Sequence, residues 1–207
     1  MPPRSGIAPP LHFSRKLRVR PLPRGGLCII IGTTASDAEA LDIEISLPLK
    51  RLTYAEAMER FGSDKPDTRF GMELFDLSET VENCGFGVFA NTVKEGGTVR
   101  GFTAKDACGV YTRKVIDRLT EEAKGMGAKG LAWIRLTDEG VASSFSKFMT
   151  DEEMESIIKQ AGAQKGDVVF IVSDSRAALA LSVLGSLRLT VAKKLDIIPS
   201  GYDLLWI

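Results

Sequence analysis

The sequence predicts an α+β fold, a mostly antiparallel sheet with helices on one face in two layers. Two capping boxes, Thr53-Tyr54-Ala55-Glu56 and Thr150-Asp151-Glu152-Glu153, mark helix starts, because the Thr side chain and the Glu three residues on satisfy each other's backbone amides. Two short apolar runs, 130–136 and 167–172, read as buried strands. The order β-β-α-β-β-α-β-α intersperses helices among strands joined by short turns, which argues for α+β.

Residues 1–37 show no sustained period, and the alternation Leu41, Ile43, Ile45, Leu47 reads as a short strand. The first capping box opens a short helix that Gly62 stops. Gly62-Ser63-Asp64-Lys65-Pro66-Asp67-Thr68-Arg69-Phe70 follows as a charged loop, since Pro66 disfavours helix at Lys65 while Ser63 and Asp64 favour turns. Runs 86–91 and 98–104 read as two strands joined by a turn at Gly96-Gly97. Thr112 is placed to cap a helix through Gly125, with Ile116, Leu119 and Ala123 on one face.

The strand over 130–136 is nearly all apolar and is expected at the centre of the sheet. A partner over 141–148 is expected across Asp138-Glu139-Gly140. After the second capping box, Met154, Ile157, Ile158 and Ala161 recur at helical spacing and Gly162 ends the helix. Following the strand over 167–172, Ser173 or Asp174 would cap a long helix from about Arg176 to Lys194, whose apolar face carries Leu181, Leu184, Leu187, Val191 and Leu195. Residues 204–207 begin one more strand.

Composition excludes several classes. The chain of 207 residues, 44% hydrophobic and 26% charged, suits one ordinary globular domain with a tail. Its 27 basic and 27 acidic residues are unevenly placed. Arg4, Arg15, Lys16, Arg18, Arg20 and Arg24 precede the first acid, Asp37, so the body is mildly acidic and advertises no broad phosphate-binding surface. The acid-free head has the charge of a transit peptide. Pro2, Pro3, Pro9, Pro10, Pro21 and Pro23 oppose an amphipathic helix, and disorder or sequence foreign to the domain is the preferred reading. Cys28, Cys84 and Cys108 are odd in number and widely spaced, and His12 is the single histidine, so reduced thiols are expected rather than a zinc site. No apolar run approaches membrane-spanning length.

The densest functional cluster is the loop from Ser63 to Arg69. Lys65 and Arg69 could hold a phosphate or carboxylate, oriented by Asp64 and Asp67. Spacing alone favours the plainer reading, in which the same residues form a self-satisfied set of ion pairs and turn caps. Gly125-Met126-Gly127-Ala128-Lys129-Gly130 follows a helix and precedes a strand, the reverse of a phosphate-cradling context, and reads as a helix end. Asp151, Glu152, Glu153 and Glu155 are explained by the helix dipole. No catalytic constellation and no metal site emerge from the residues themselves.

The stretch Leu52-Thr53-Tyr54-Ala55-Glu56-Ala57-Met58-Glu59-Arg60-Phe61-Gly62-Ser63-Asp64-Lys65-Pro66-Asp67-Thr68-Arg69-Phe70 resembles a signature of bacterial-type aspartyl-tRNA synthetases. Later matches are Ala128 to Ile134, Lys147-Phe148, Gly166 to Phe170, Leu187-Arg188-Leu189 and Leu204 to Ile207. The resemblance covers roughly residues 47–207. It implies an internal fragment: an extension over 1–40, a catalytic-domain flank with the SDKPD loop over 41–77, an inserted GAD domain over 78–198, and a returning catalytic-domain strand over 199–207. The parent enzyme of the family uses ATP and Mg²⁺ to charge tRNA, is a homodimer, and is cytoplasmic with no membrane association. This chain lacks the anticodon-binding OB-fold, the class II arginine motifs and the aspartate pocket. It is therefore expected to hold no cofactor and no catalytic residue of its own. Ser63, Asp64, Lys65, Asp67 and Arg69 match the loop motif, and the resemblance implies that they contact substrate or tRNA. The other expectation is a free-standing GAD-type binding module for tRNA or a protein partner.

Overall fold

The computed structural model describes residues 49–207. The expected strand over 41–47 and the proline-rich head lie outside them. The strands are β1 (Lys50–Arg51), β2 (Phe75–Asp76), β3 (Thr98–Ala104), β4 (Ala132–Thr137), β5 (Gly140–Ser143), β6 (Val168–Asp174) and β7 (Leu205–Trp206). The helices are α1 (Tyr54–Phe61), α2 (Ser78–Val81), α3 (Gly87–Lys94), α4 (Arg113–Gly125), α5 (Asp151–Gln160) and α6 (Ala177–Leu195). None of these helices is long and apolar enough to cross a membrane.

The five-stranded sheet has the order β2-β3-β6-β4-β5, every neighbour antiparallel. The α+β class and the antiparallel sheet are as expected. The layering is not: helices cover both faces instead of one. The register sets Phe102 beside Phe170, Ala104 beside Val168 and Trp133 beside Phe170. These side chains point to one face and pack against Ile116 and Leu119 of α4 and Leu184 and Leu187 of α6. The alternate positions, Val99, Ile134, Val169 and Ile171, point the other way onto Val81 of α2, Phe89 of α3 and Met154 and Ile157 of α5. The physical reason is in the strands. Val168 to Val172 are all buried, and such an apolar run needs cover on both sides.

Three local expectations are corrected. Residues 86–91 form no strand; Gly87–Lys94 is a helix. Phe86, Phe89, Ala90 and Val93 stand at i, i+3, i+4 and i+7, a helical stripe that local β propensity obscured, and Phe89 and Ala90 are buried. Gly96-Gly97 thus joins a helix to β3. The strand over 141–148 stops at Ser143, because the Ser143 hydroxyl accepts from the amides of Phe145 and Ser146, both at 3.0 Å, and turns the chain into a single 3₁₀ turn. The middle strand is β6, with β4 one place outward.

Both capping boxes are closed, Thr53 with Glu56 and Thr150 with Glu153. Thr112 occupies the N-cap position of α4 without a side-chain bond. The N-cap of α6 is Arg176, also without one; Asp174 accepts from the Arg176 amide at 2.9 Å just ahead of the helix. The glycine-rich stretch ends α4, and Gly127 adopts the left-handed φ of 97°. β7 finds a parallel partner in β1, with Lys50 opposite Leu205.

Candidate functional site

The charged loop begins where α1 crosses α6. Gly62 closes α1 with a φ of 67°, its amide donating to the Met58 carbonyl. The crossing is close. A Cβ on Gly62 would collide with the Leu181 carbonyl, and one on Gly185 would lie 2.5 Å from the Gly62 carbonyl oxygen and 2.8 Å from that of Phe61. Only glycine at both positions permits this approach.

Beyond Gly62 the loop divides. In its outer half, the Ser63 hydroxyl accepts from the Lys65 amide at 3.1 Å and shapes the turn. Asp64 and Lys65 are exposed, and their side chains have no partner among the described residues. Ser63 and Asp64 also line an open groove of about 270 Å³ with Tyr54, Ser182 and Ser186.

The inner half is tied down. Arg69 grips Asp67 in a two-point fork, Nε to Oδ1 at 2.9 Å and Nη2 to Oδ2 at 2.6 Å. Its Nη1 reaches across to the carbonyls of Pro199 at 3.1 Å and Gly201 at 2.8 Å. Thr68 donates to Asp203 at 2.6 Å, and Lys50 pairs with the same carboxylate at 3.1 Å. Arg60 clasps Glu73 through two bonds of 2.8 and 2.6 Å.

Under the loop lies Arg188 of α6, 1% exposed. Its Nε donates to the carbonyls of Gly71 at 3.0 Å and Met72 at 2.9 Å, and its Nη2 to Asp67 at 2.7 Å and to Gly71. The guanidinium lies 4.1 Å from the Phe70 ring centroid and 5.0 Å from that of Phe61.

The electrostatics follow from these partners. Burial pulls the Arg188 guanidinium down to about 10, opposed by the charges of Asp67 and Glu73, so it remains charged at neutral pH. Burial pushes the Asp67 carboxyl up, but the bonds from Arg69 outweigh it and hold the group below its ordinary value. Asp203 behaves likewise, with Thr68 and Lys50 outweighing burial. Glu73 is lowered chiefly by its bond from Arg60.

Of the five residues singled out in the sequence, the structure brings Asp67 and Arg69 together as a fork, uses Ser63 as a turn cap, and leaves Asp64 and Lys65 facing outward. Arg69 can therefore meet a ligand only by giving up bonds to Asp67 and two carbonyls. The sequence reading missed Arg188, Asp203 and Gly185. A signal for Arg188 was present: it stands among Leu181, Leu184, Val191 and Leu195 in the apolar stripe of α6, where a charge is buried only if it is partnered. Asp203 carried no such signal, because its partners lie 135 and 153 residues away. Among the described residues no three His, Cys, Asp or Glu side chains converge, and the loop's one fork is already engaged by Asp67.

Comparison with known proteins shows what the chain is similar to. Residues 89–183 match the GAD domain. The aspartate–tRNA ligase of Ruminiclostridium cellulolyticum is 48% identical over 171 residues, which is 82% of this chain and 28% of that protein. The aspartate–tRNA(Asp/Asn) ligase of Lachnoclostridium phytofermentans is 47% identical over the same shares. That of Heliobacterium modesticaldum is 51% identical over 162 residues, 78% of this chain and 26% of the relative. Among solved structures, the hypothetical protein PH0730 from Pyrococcus horikoshii OT3 aligns with a TM-score of 0.37 and 20% identity over 50% of this chain and 58% of that one, too slight a likeness to bear on fold or function. The chain is similar to bacterial aspartate–tRNA ligases over most of its own length, matches the GAD domain over residues 89–183, and spans 28% of the length of the first of these relatives.

Proposed function

We propose that the chain serves the charging of tRNA with aspartate as an internal part of an aspartate–tRNA ligase, and that by itself it forms no aspartyl-adenylate. The observation that carries this reading is 48% identity to such a ligase across 82% of the chain. On this reading residues 41–77 and 199–207 flank the active site, 78–198 form the GAD unit, and ATP with Mg²⁺ is bound by residues outside those described. The protein works in the cytoplasm, with tRNA as its partner and within a homodimeric enzyme.

The loop's part is contact with tRNA. Lys65 offers a point charge suited to a backbone phosphate, with Asp64 beside it to receive a hydroxyl. Asp67 and Arg69 hold the turn rigid behind them. The test is direct. Purified chain, ATP, aspartate and labelled pyrophosphate are expected to show no aspartate-dependent exchange, and exchange above background overturns the claim of inactivity. Filter binding with a tRNA-Asp transcript is expected to show retention that Lys65→Ala weakens. Equal retention of wild type and variant overturns the loop contact.

A second reading, a free-standing GAD-type module for tRNA or a protein partner, is favoured by one feature. The five-stranded sheet is covered on both faces by the chain's own helices and needs no outside core. Retention of tRNA without any charging activity in cells lacking a longer product separates it from the first.

A further inference from the structure

Gly71 and Met72 are consecutive residues in the left-handed region, at φ of 66° and 52°. For Met72 this conformation is unfavourable, since its Cβ crowds the following carbonyl. The pair needs an explanation, and the bonds supply one. This backbone turns two successive carbonyls, Gly71 and Met72, toward the single Nε of Arg188 at 3.0 and 2.9 Å, while Nη2 of the same guanidinium takes the Asp67 carbonyl at 2.7 Å. One buried side chain thus reads three backbone oxygens across a span of six residues. Among the described residues no carboxylate touches the guanidinium directly; Asp67 and Glu73 balance its charge from nearby. Its planar fork also lies over Phe70, locking the ring that ends the loop.

Arg188 sits on α6, in a stripe whose neighbours Leu184 and Val191 are buried in the sheet core. The carbonyls belong to the segment that continues from Asp64 and Lys65. We propose that Arg188 is a positioning residue through which α6 sets the attitude of the loop, so that the inserted domain presents Asp64 and Lys65 to the tRNA. The proposal rests on the reading of that loop as a tRNA contact. It goes beyond that reading by assigning the control of the loop to a residue 123 positions from Lys65, on the helix that the GAD unit buries.

Hydrogen–deuterium exchange of the full chain without tRNA tests the control. In Arg188→Met, which keeps the apolar stem and removes the donors, segment 64–74 is expected to exchange roughly tenfold faster while β3 and β6 keep their protection. Arg188→Lys keeps the charge but not the fork and is expected to fall between the two. Gly71→Ala is the companion variant should Arg188→Met fold poorly. A Cβ there meets nothing within 4 Å, so the change acts through φ alone, and it too is expected to loosen 64–74 selectively. Unchanged exchange in the loop of Gly71→Ala or of Arg188→Met, or equal loosening of loop and sheet, overturns the proposal. The same variants are then titrated with a tRNA-Asp transcript. Arg188→Lys and Gly71→Ala are expected to weaken binding several-fold at unchanged melting of the sheet. A wild-type chain that binds no tRNA removes the contact reading and leaves the exchange result standing as the measure of loop control.

Discussion

In the sheet, Phe102, Phe170 and Trp133 meet across neighbouring strands with helices closing over them, and the packing is apolar against apolar. In the segment from Gly62 to Leu74, 13 residues to one side of the same helix α6, the contacts that decide the shape are polar: the Asp67–Arg69 fork, the Thr68–Asp203–Lys50 chain, the Arg60–Glu73 clasp and the Arg188 carbonyl cluster. Burial is non-directional and roughly additive in area, so the sheet tolerates imprecision and depends on volume. The polar segment depends on angles. Each donor there has a defined acceptor, and removal of one side leaves the other unmet in a half-buried place. The two regions meet at α6, which gives leucines to one and Arg188 and Gly185 to the other.

That contrast can be broken at its strongest point first. Phe170→Ala empties the middle strand of a side chain that is 0% exposed, and truncations of this kind cost about 3–5 kcal/mol. Denaturant unfolding should show a lower midpoint with one transition. Loss of the loop contacts alone, with the sheet intact, would contradict the division drawn here. Next, Gly185→Ala inserts a methyl 2.5 Å from the Gly62 carbonyl and must push α1 off α6, at a cost of about 1–3 kcal/mol. The melting temperature should fall, with faster proteolysis near Gly62; an unchanged melt would mean that the crossing is looser than drawn.

Arg69→Lys keeps the charge but cannot hold two carboxylate oxygens and two carbonyls together. A loss of about 1 kcal/mol, a few degrees in melting temperature, is expected. A melt equal to wild type would return Arg69 to the pool of ligand contacts. Acid titration sharpens the same point. Asp67 and Asp203 have folded values below 3.8, so the stability they contribute is present above that value and is lost as pH falls through their lowered ones. Protection of 64–74 should therefore decline below pH 3.8, as followed by exchange at stepped pH, and Asp67→Asn should remove part of that dependence. The smallest effect belongs to Lys65→Ala. An exposed side chain without a partner among the described residues should change stability by within about 0.5 kcal/mol, measured by the same melt. A larger loss would show that Lys65 is held by something structural.

Helix starts, strand runs and most of the core were legible in the sequence because they rest on neighbours a few residues apart. Thr53 with Glu56 and Thr150 with Glu153 carry their own partners, and Val168 to Val172 declare burial by composition alone. Where two local patterns competed, as over 86–91, packing of Phe89 and Ala90 against the sheet chose the helix. The unbroken apolar run along β6 also held the fact that both faces are covered, since such a strand has no side to give to water.

Which loop charges are available was decided by the tertiary structure. Asp64, Lys65, Asp67 and Arg69 look alike in the sequence, yet Asp67 and Arg69 are enclosed and Asp64 and Lys65 are not. The difference comes from Pro199, Gly201 and Arg188, which lie 119 or more residues downstream and reach the loop only once the sheet has brought α6 and the segment after it alongside. A hydrogen bond fixes distance and direction together, and no local pattern can announce a partner that the chain meets only after it has folded.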